Sequence, residues 1–159
     1  MKTKRSQWNK HFRKAVVDNL YVHDGMSVKD IVKREDYTIS ESTIRSWVSR
    51  YKKMLSRNEV EILVDPHLKF IGSLTEEGYN YSYGLRMWRD QCSQLDLNKD
   101  FYLRFEEQIQ GMTPGFIRGL LFDAIDMIGR DNVLNRLHII HPKSDLLEKM
   151  IINTLKEMA

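Results

Sequence analysis

The stretch that decides the fold is residues 27–53, which read SVKDIVKREDYTISESTIRSWVSRYKK. It contains two signals for the start of a helix. Ser27 and Ser40 can each accept a hydrogen bond from a backbone N–H that the first turn of a helix leaves unpaired. Asp30 stands where it can complete a reciprocal cap with Ser27, and Glu41 suits the positive end of a helix dipole. The stretch therefore predicts two short helices separated by a turn.

The second of these helices, expected at residues 41–54, has two different faces. Its apolar side chains recur at steps of three or four, so they share the side that packs on other helices; they are Ile44, Val48, Tyr51 and Leu55. The opposite side carries hydroxyl and basic side chains, namely Ser42, Thr43, Arg45, Ser46, Ser49, Arg50 and Lys53. In the major groove of duplex DNA such side chains can bond base edges, with Arg45 the first candidate. The alternative is that they form only the solvated face of an amphipathic helix.

A further helix is predicted before this pair, at residues 9–23. Its apolar side chains lie on or beside one face; they are Phe12, Ala15, Val16, Val17 and Leu20. Gly25 follows the last turn, where a left-handed residue ends a helix well. Three helices within residues 10–56, the last of them basic and rich in serine, have the layout of a helix-turn-helix DNA-binding domain.

Residues 12–52 resemble the N-terminal helix-turn-helix of insertion-sequence transposases of the two-reading-frame type, with the runs FRKAVVDNLYVHDGMSVKDIVKRE and ISESTIRSWVSRYK. They are more distantly similar to the recombinase, paired-type and phage small-terminase modules. The positions that carry the resemblance are Phe12, Ala15, Val16, Val17, Gly25, Ser27, Val28, Ile39, Ser40, Ser42, Thr43, Ile44, Trp47, Val48 and Tyr51. The turn between Ile31 and Ile39 is longer than that of the family and lacks its glycine. The resemblance implies DNA binding and not transposition.

Trp47 has two possible roles in such a domain. In the transposase-like pattern a tryptophan at this place helps to close a small three-helix core, which is the role we expect because so small a domain has little core to spare. The alternative is a stacking or wedging contact with DNA.

Other basic residues are candidates for contacts with the DNA backbone, which set affinity and salt dependence without reading sequence. They are Lys4, Arg5, Lys10, Arg13, Lys14, Lys29, Lys33, Lys52 and Lys53. Residues 1–9 are expected to form a basic arm. Such an arm either follows phosphates or enters a minor groove, or it is a tail that makes no contact.

The net charge of +3 conceals a difference between the two parts of the chain. Residues 1–57 hold 14 Lys or Arg against 6 Asp or Glu, whereas residues 58–159 hold 11 against 16. This asymmetry is typical of a nucleic-acid-binding module joined to a different module. The single cysteine, Cys92, rules out an internal disulfide framework and fits a reducing compartment. No apolar run is long enough for a membrane span, and we expect a soluble cytoplasmic protein.

The second part is predicted to be helical. Residues 57–75 are expected to be a linker, or a short strand because Val60, Ile62 and Val64 alternate. Residues 76–159 predict a helical domain for assembly or regulation, with helices from about 76 or 82 to 95, at 98–111, from 113, at 130–140, and from 142 or 144 to the end. The expected fold class is therefore mainly α, with a three-helix helix-turn-helix domain followed by a helical domain.

Two helices of this domain carry apolar stripes. The helix that begins at Thr113 and Pro114 has a wide stripe suited to the centre of a core, made of Phe116, Leu120, Leu121, Ala124, Ile125 and Ile128. Gly115 and Gly119 on it permit close approach of a neighbour. The last helix has a stripe that fits either the core or a dimer seam, made of Leu147, Met150, Ile151, Leu155 and Met158. We expect the dimer seam, because helices that read a DNA groove commonly act in pairs.

No catalytic, metal or cofactor site is predicted. A transposase catalytic domain needs three carboxylates around two metal ions, usually on a strand-rich core; Asp65, Asp123 and Glu148 are nominal candidates in a part that reads as helical. His138 and His141 lack a cysteine or carboxylate at ligand spacing and are expected to be partly buried. Cys92 is expected to be structural. Tyr79, Tyr81 and Tyr83, beside Arg86, form either a ligand pocket or a helix start that packs on a core.

The expected function is sequence-specific binding of double-stranded DNA, as a transcriptional regulator of a phage or mobile element that is not an enzyme. Residues 76–159 are expected to form a homo-oligomer, with a dimer favoured. The alternative is a subunit for DNA recognition and assembly, similar to a small terminase or a transposase accessory protein, that recruits a separate enzyme.

Overall fold

A computed structural model describes residues 10–33, 39–64, 70–71 and 77–158, with side chains from residue 80 in the last range. The chain divides into two compact units, Met1–Ser56 and Arg57–Ala159. We call them the first and the second unit. The described residues are mostly helical with a few short strands, as the sequence predicts. No described helix has the combination of length and hydropathy that a membrane span requires.

The first unit contains α1 (Lys10–Ala15), a π-helical segment (Val16–His23), α2 (Val28–Lys33) and α3 (Glu41–Ser56). The helix predicted at residues 9–23 is therefore continuous, but its second half has π rather than α geometry. The segment ends with a hydrogen bond of 3.0 Å from the Asp24 N–H to the Asn19 carbonyl, five residues back. Gly25 then has a φ of +65°, the left-handed conformation expected after the helix.

One small hydrophobic core holds the first unit together. Its buried members are Val16, Val17, Ile31, Ile39, Ile44 and Val48. Trp47 packs against this cluster, and its ring meets that of Phe12 edge to face with centroids 6.2 Å apart. The prediction that Trp47 closes the core is confirmed. Ala15, by contrast, is exposed and not part of the apolar side.

The second unit alternates strands and helices. It contains β1 (Glu59–Ile62), β2 (Phe70–Ile71), α4 (Glu77–Gln91), β3 (Phe101–Phe105), β4 (Gly111–Met112), α5 (Pro114–Ile128), α6 (Arg130–Arg136), β5 (Leu137–Ile140) and α7 (Ser144–Glu157). The strands β1, β3 and β5 form a parallel sheet with β3 in the centre, and β2 pairs with β4, also in parallel. Parallel pairing requires long crossovers between strands, here made with helices.

The prediction of a helical domain at residues 76–159 is only partly correct, because this region also contains the strands β3, β4 and β5. A helix was expected at residues 98–111 because Phe101, Phe105 and Ile109 recur at a step of four, but residues 101–105 are the central strand β3. A step of four also fits a period of two, and Phe101, Leu103 and Phe105 are all buried on one face.

The predicted helix at residues 130–140 is also only partly correct. It stops at Arg136, and residues Leu137–Ile140 form β5 beside β3. The segment 57–75 contains strand β1, the short strand that the alternation of apolar residues predicts. β1 pairs with β3 and is therefore part of the sheet rather than a linker.

Helices α4 and α5 pack with their backbones in close approach. A Cβ atom added to Gly119 would collide with the Tyr81 carbonyl, and one added to Gly84 would collide with the Phe116 carbonyl. The start of α5 is as predicted, since the Thr113 hydroxyl accepts a hydrogen bond of 3.2 Å from the Phe116 N–H. The apolar stripe of α5 forms the centre of the core, as expected, with Leu120 and Leu121 fully buried.

The apolar stripe of α7 faces the same core. Leu147, Ile151 and Leu155 are buried within their own unit. Of the two interpretations of this stripe, core and dimer seam, the core is correct and our preference for the seam is wrong.

Asn58 joins the beginning of β1 to the loop before β3. Its φ is +55°, and its side-chain amide donates to the carbonyls of Asp96 and Asp100 at 2.7 and 3.0 Å. Its side-chain oxygen accepts from the Asp96 N–H at 2.8 Å. These bonds hold together two segments that are far apart in the sequence.

Candidate nucleic-acid interface

The orientation of α3 is set by its cap and by its buried side. The Ser40 hydroxyl accepts from the Thr43 N–H at 3.3 Å, and the Ser40 carbonyl accepts from the Ile44 N–H at 3.2 Å. Ile44 and Val48 are 0% and 5% exposed. The predicted cap and the predicted core-facing side of α3 are both confirmed.

The opposite side of α3 lies at the surface of the first unit. Its exposed members are Ser42, Arg45, Ser46, Ser49, Arg50 and Lys53. Thr43 differs from the other predicted base-reading residues, because it is half-buried and its hydroxyl lies 2.8 Å from that of Ser40. The surface that α3 presents is therefore made of short hydroxyls and basic side chains.

The start of α2 is fixed beside this surface. The Ser27 hydroxyl accepts from the Asp30 N–H at 3.2 Å, and the Ser27 carbonyl accepts from the Ile31 N–H at 3.0 Å. The Met26 N–H donates to the Leu20 carbonyl at 2.9 Å, which ties the turn to the π-helical segment. Lys29 is exposed on the first turn of α2.

An open groove of about 790 Å³ lies between these segments. Its lining comes from the π-helical segment, the start of α2 and one side of α3, and consists of Tyr21, Ser27, Val28, Lys29, Arg45, Val48, Ser49, Lys52, Lys53 and Ser56. It holds three lysines and an arginine, and no described residue of the lining is acidic. The folding of the first unit therefore concentrates positive charge and hydroxyl groups in one concave surface. We call this surface the basic groove.

One lysine of the basic groove is held by an aromatic ring. The Lys52 ammonium lies 5.5 Å from the centroid of the Tyr21 ring, at a distance where the ring attracts a cation. Lys29 and Lys53 are exposed beside it. All three lysines line the same groove, so each adds to its positive potential.

Arg45 is held at the leading end of α3 by an ion pair. Its Nε and Nη2 atoms donate to the same Glu41 oxygen, Oε1, at 3.2 and 2.5 Å. The hydrogen bond from Arg45 lowers the pKa of the Glu41 carboxyl, with a smaller contribution from the charge of Lys29. Glu41 is therefore a stable anion beside the basic groove.

Among the other residues predicted to contact the DNA backbone, the four that the structure describes do not line the basic groove. Lys10 and Lys33 are exposed, while Arg13 and Lys14 on α1 are half-buried. Lys4 and Arg5, and with them the predicted arm, fall outside the described residues. Of the nine predicted backbone contacts, the basic groove brings together Lys29, Lys52 and Lys53.

Sequence reasoning missed two features of this surface. The ring of Tyr21 forms part of the groove wall, but Tyr21 and Lys52 are far apart in the sequence and no local pattern connects them. The pairing of Glu41 with Arg45 has the spacing of adjacent side chains on a helix, with the acid first, and the sequence contained that signal.

The nominal catalytic and metal-binding residues of the second unit have structural partners. Asp123 accepts from Arg89 Nε and Nη2 at 2.8 and 3.1 Å, and Glu148 accepts from the Ile139 N–H at 3.2 Å. Asp65 lies outside the described residues. Among the described residues, no group of three side chains could hold a metal ion.

The described histidines and tyrosines of the predicted sites, together with Cys92, lie in partly or fully buried positions. His138 is half-buried and stacks on Tyr102 with ring centroids 4.9 Å apart, as the expected partial burial implies. His141 is also half-buried, and its Nδ1 accepts from the Lys143 N–H at 2.9 Å. The remaining side chains pack in the core or between α4 and α5: Cys92 is fully buried, the Tyr83 ring meets that of Phe116, and the Tyr81 ring meets that of Phe122. The side chain of Tyr79 is not among those described.

Comparison with known proteins identifies no relative. No protein-family model matches the chain, and no curated protein or solved structure is significantly similar to it.

Proposed function

We propose that this protein binds double-stranded DNA in a sequence-specific manner through its first unit and acts as a transcriptional regulator of a phage or mobile element. In this proposal α3 enters the major groove, and the lysines of the basic groove contact phosphates next to it. The second unit sets the number of copies in the complex or receives a signal.

The observation that carries this proposal is the basic groove. The π-helical segment, the start of α2 and one side of α3 together line this groove, which holds Lys29, Lys52, Lys53, Arg45 and Ser49. A duplex offers matching chemistry, because its phosphates are regularly spaced anions and its major groove has the width of a helix. A deep apolar pocket for a small molecule would need a different lining.

The outer surface of α3 fits a base-reading role. Ser42, Ser46 and Ser49 are short and exposed, so the backbone of α3 can approach the floor of a groove closely. Arg45 and Arg50 are long enough to reach guanine O6 and N7 from the flanks of this surface. Hydroxyl groups can donate to or accept from several base edges, whereas arginine favours guanine.

The phosphate contacts fit the lysines rather than the arginines. A lysine ammonium is a compact charge that makes no distinction between bases when it lies on the backbone. Each phosphate that such a lysine neutralises steepens the dependence of log affinity on log salt concentration by about 0.9. Three lysines in the basic groove therefore predict a slope of at least about 2.7.

Selection of bound sequences from random duplex DNA, followed by light scattering of the complex, tests this function. A defined motif, repeated with two-fold symmetry and bound by a dimer or tetramer, is the expected result. A large ring with weak sequence preference would instead support the alternative, an assembly subunit that recruits an enzyme. A full-length chain that binds no duplex even at low salt would overturn the proposal.

A further inference from the structure

The ion pair between Arg45 and Glu41 lies at the N-terminal end of α3. Arg45 belongs to the lining of the basic groove, and Glu41 does not. The side chains of Arg45 and Glu41 are 58% and 42% exposed, so both can be reached by a ligand that covers α3. A carboxylate at this place would oppose the binding of a polyanion.

The pair leaves only part of the Arg45 guanidinium available. The group has five N–H donors in one plane, and Nε–H and one Nη2–H point to the Glu41 carboxylate. The donors on Nη1 and the second donor on Nη2 remain for another acceptor. Because the plane of the group is fixed by two bonds to a neighbour on the same helix, Arg45 loses less conformational freedom when it meets a base.

The negative charge of Glu41 opposes the binding of phosphates. An anion beside Arg45 and near Lys29 reduces the positive potential that attracts any duplex, whatever its sequence. The same anion does not prevent the remaining Arg45 donors from meeting a guanine edge. A change that weakens non-specific binding more than specific binding raises discrimination.

Resting on the proposed function, we propose that Glu41 is a specificity-determining residue of the DNA interface. It positions Arg45 for a base edge and lowers the affinity of the basic groove for DNA of unrelated sequence. Glu41 is thus a positioning residue that acts through Arg45.

The test is the Glu41→Gln variant of the full-length chain, which removes the charge and keeps the shape. Dissociation constants are measured for the selected duplex and for a scrambled duplex of the same length, over a series of salt concentrations. Binding to the scrambled duplex should tighten several-fold, with a salt slope steeper by up to about 0.9. Binding to the selected duplex should change little, so the ratio of the two constants should fall by the same several-fold factor.

Asp30→Asn is the matched control. Asp30 is an exposed acid on α2 outside the lining of the basic groove, and its replacement changes the net charge by the same amount. It should tighten binding to both duplexes together and leave the ratio unchanged. A ratio for Glu41→Gln equal to that of Asp30→Asn would overturn the inference, since the effect would then be that of charge alone.

A double-mutant cycle separates the two partners. In an Arg45→Ala background, Glu41→Gln should no longer change the ratio, because Glu41 would have no side chain to position. A persisting change would mean that Glu41 contacts DNA itself, and would contradict the positioning role. A wild-type chain that binds no duplex would overturn the proposed function and this inference with it, whereas an unchanged ratio in a chain that does discriminate would overturn the inference alone.

Discussion

The two units differ in how far apart in the sequence their hydrogen-bonded residues lie. In the first unit the helix starts are fixed by neighbours within one turn, as in the bonds from the Asp30 N–H to Ser27 and from the Thr43 N–H to Ser40. In the second unit the bond from Arg104 to Glu59 joins residues 45 apart, and that from the Leu63 N–H to Gln91 joins residues 28 apart.

This difference has a counterpart in the cores. The described part of the first unit buries one small cluster, whereas the second unit buries a much larger one around β3 and α5. Burial of apolar surface is the main source of stability. The second unit therefore has a core on which stability depends, while the first unit has little core and a surface rich in polar and basic groups. In the proposed function, the unit with the small core binds DNA and the unit with the large core contributes most of the stability.

The largest expected effect comes from Gly119→Ala in the second unit. A Cβ at this position meets the backbone carbonyl of Tyr81, which cannot move without separating α4 from α5. We expect a loss of about 3 kcal/mol in the free energy of unfolding, at the upper end for overpacking. Hydrogen exchange, which reports β3 and α3 separately, should show faster exchange in β3 and unchanged exchange in α3.

Asp126→Ala is the control for this experiment, because Asp126 is exposed on the same helix. It should change stability by no more than about 0.5 kcal/mol. If Gly119→Ala had no larger effect than the control, the close approach of α4 and α5 would not be a source of stability.

The second largest expected effect is on DNA affinity, and it compares substitutions of two residues of the basic groove. Arg45→Ala should weaken binding to the selected duplex by about 1–3 kcal/mol and binding to random duplex much less. Lys53→Ala should weaken both similarly and lower the salt slope by about 0.9, because a phosphate contact carries no sequence information. Dissociation constants at several salt concentrations check both expectations. Equal losses from the two substitutions would show that the base-reading side of α3 is misassigned.

Removal of a helix cap should cost about 1 kcal/mol in either unit. Ser40 caps α3 and Thr113 caps α5 with hydrogen bonds of similar length, 3.3 and 3.2 Å. A given loss lowers the melting temperature more in a smaller domain. Ser40→Ala should therefore lower the melting temperature of the first unit by more than Thr113→Ala lowers that of the second.

Thermal unfolding followed by circular dichroism measures both changes. Ser40→Asp and Thr113→Ser keep an oxygen that can accept the same bond, and they should stay close to wild type. A larger decrease for Thr113→Ala would mean that the size of the core is not what protects the second unit.

Sequence reasoning succeeded where the deciding contacts are local. Ser27, Ser40 and Thr113 each bond a backbone N–H three residues ahead, and each was predicted from the residue type and its place. Ile44 and Val48 were placed on the buried side of α3 from their spacing alone. In each of these cases the residues that determine the structure lie within one or two helical turns of each other.

Sequence reasoning failed where contacts between distant segments decide the structure. β3 is a strand because β1 and β5 pair with it on both sides, and nothing within FYLRF states which partners it has. The burial of Phe101, Leu103 and Phe105 follows a period of two, but Phe101 and Phe105 also fit a helix. The basic groove was predicted only in part, because Tyr21 and Lys52 meet through the fold of the whole unit.

The smallest expected effect is on the pH dependence of stability. It is expected to differ in sign between one carboxyl of the first unit and one of the second. Burial raises the pKa of Asp18 above its ordinary value of 3.8, with the charge of Lys14 as a weaker opposing cause. The hydrogen bond from Arg89 lowers the pKa of Asp123 below the same value. A folded state that raises the pKa of an acid binds more protons than the unfolded state, so its stability falls as the pH rises through that range. For Asp123 the sign is reversed, and its contribution is lost as the pH falls through its folded pKa.

Asp18→Asn should therefore stabilise the first unit at pH 7, and the gain should disappear as the pH approaches 3.8. Asp123→Asn should destabilise the second unit at pH 7, and that loss should also shrink towards low pH. Denaturant unfolding of both variants from pH 7 to below pH 3.8 measures the two signs, and their disappearance at low pH, against wild type. Two effects of the same sign at pH 7 would contradict the opposite shifts of these two pKa values.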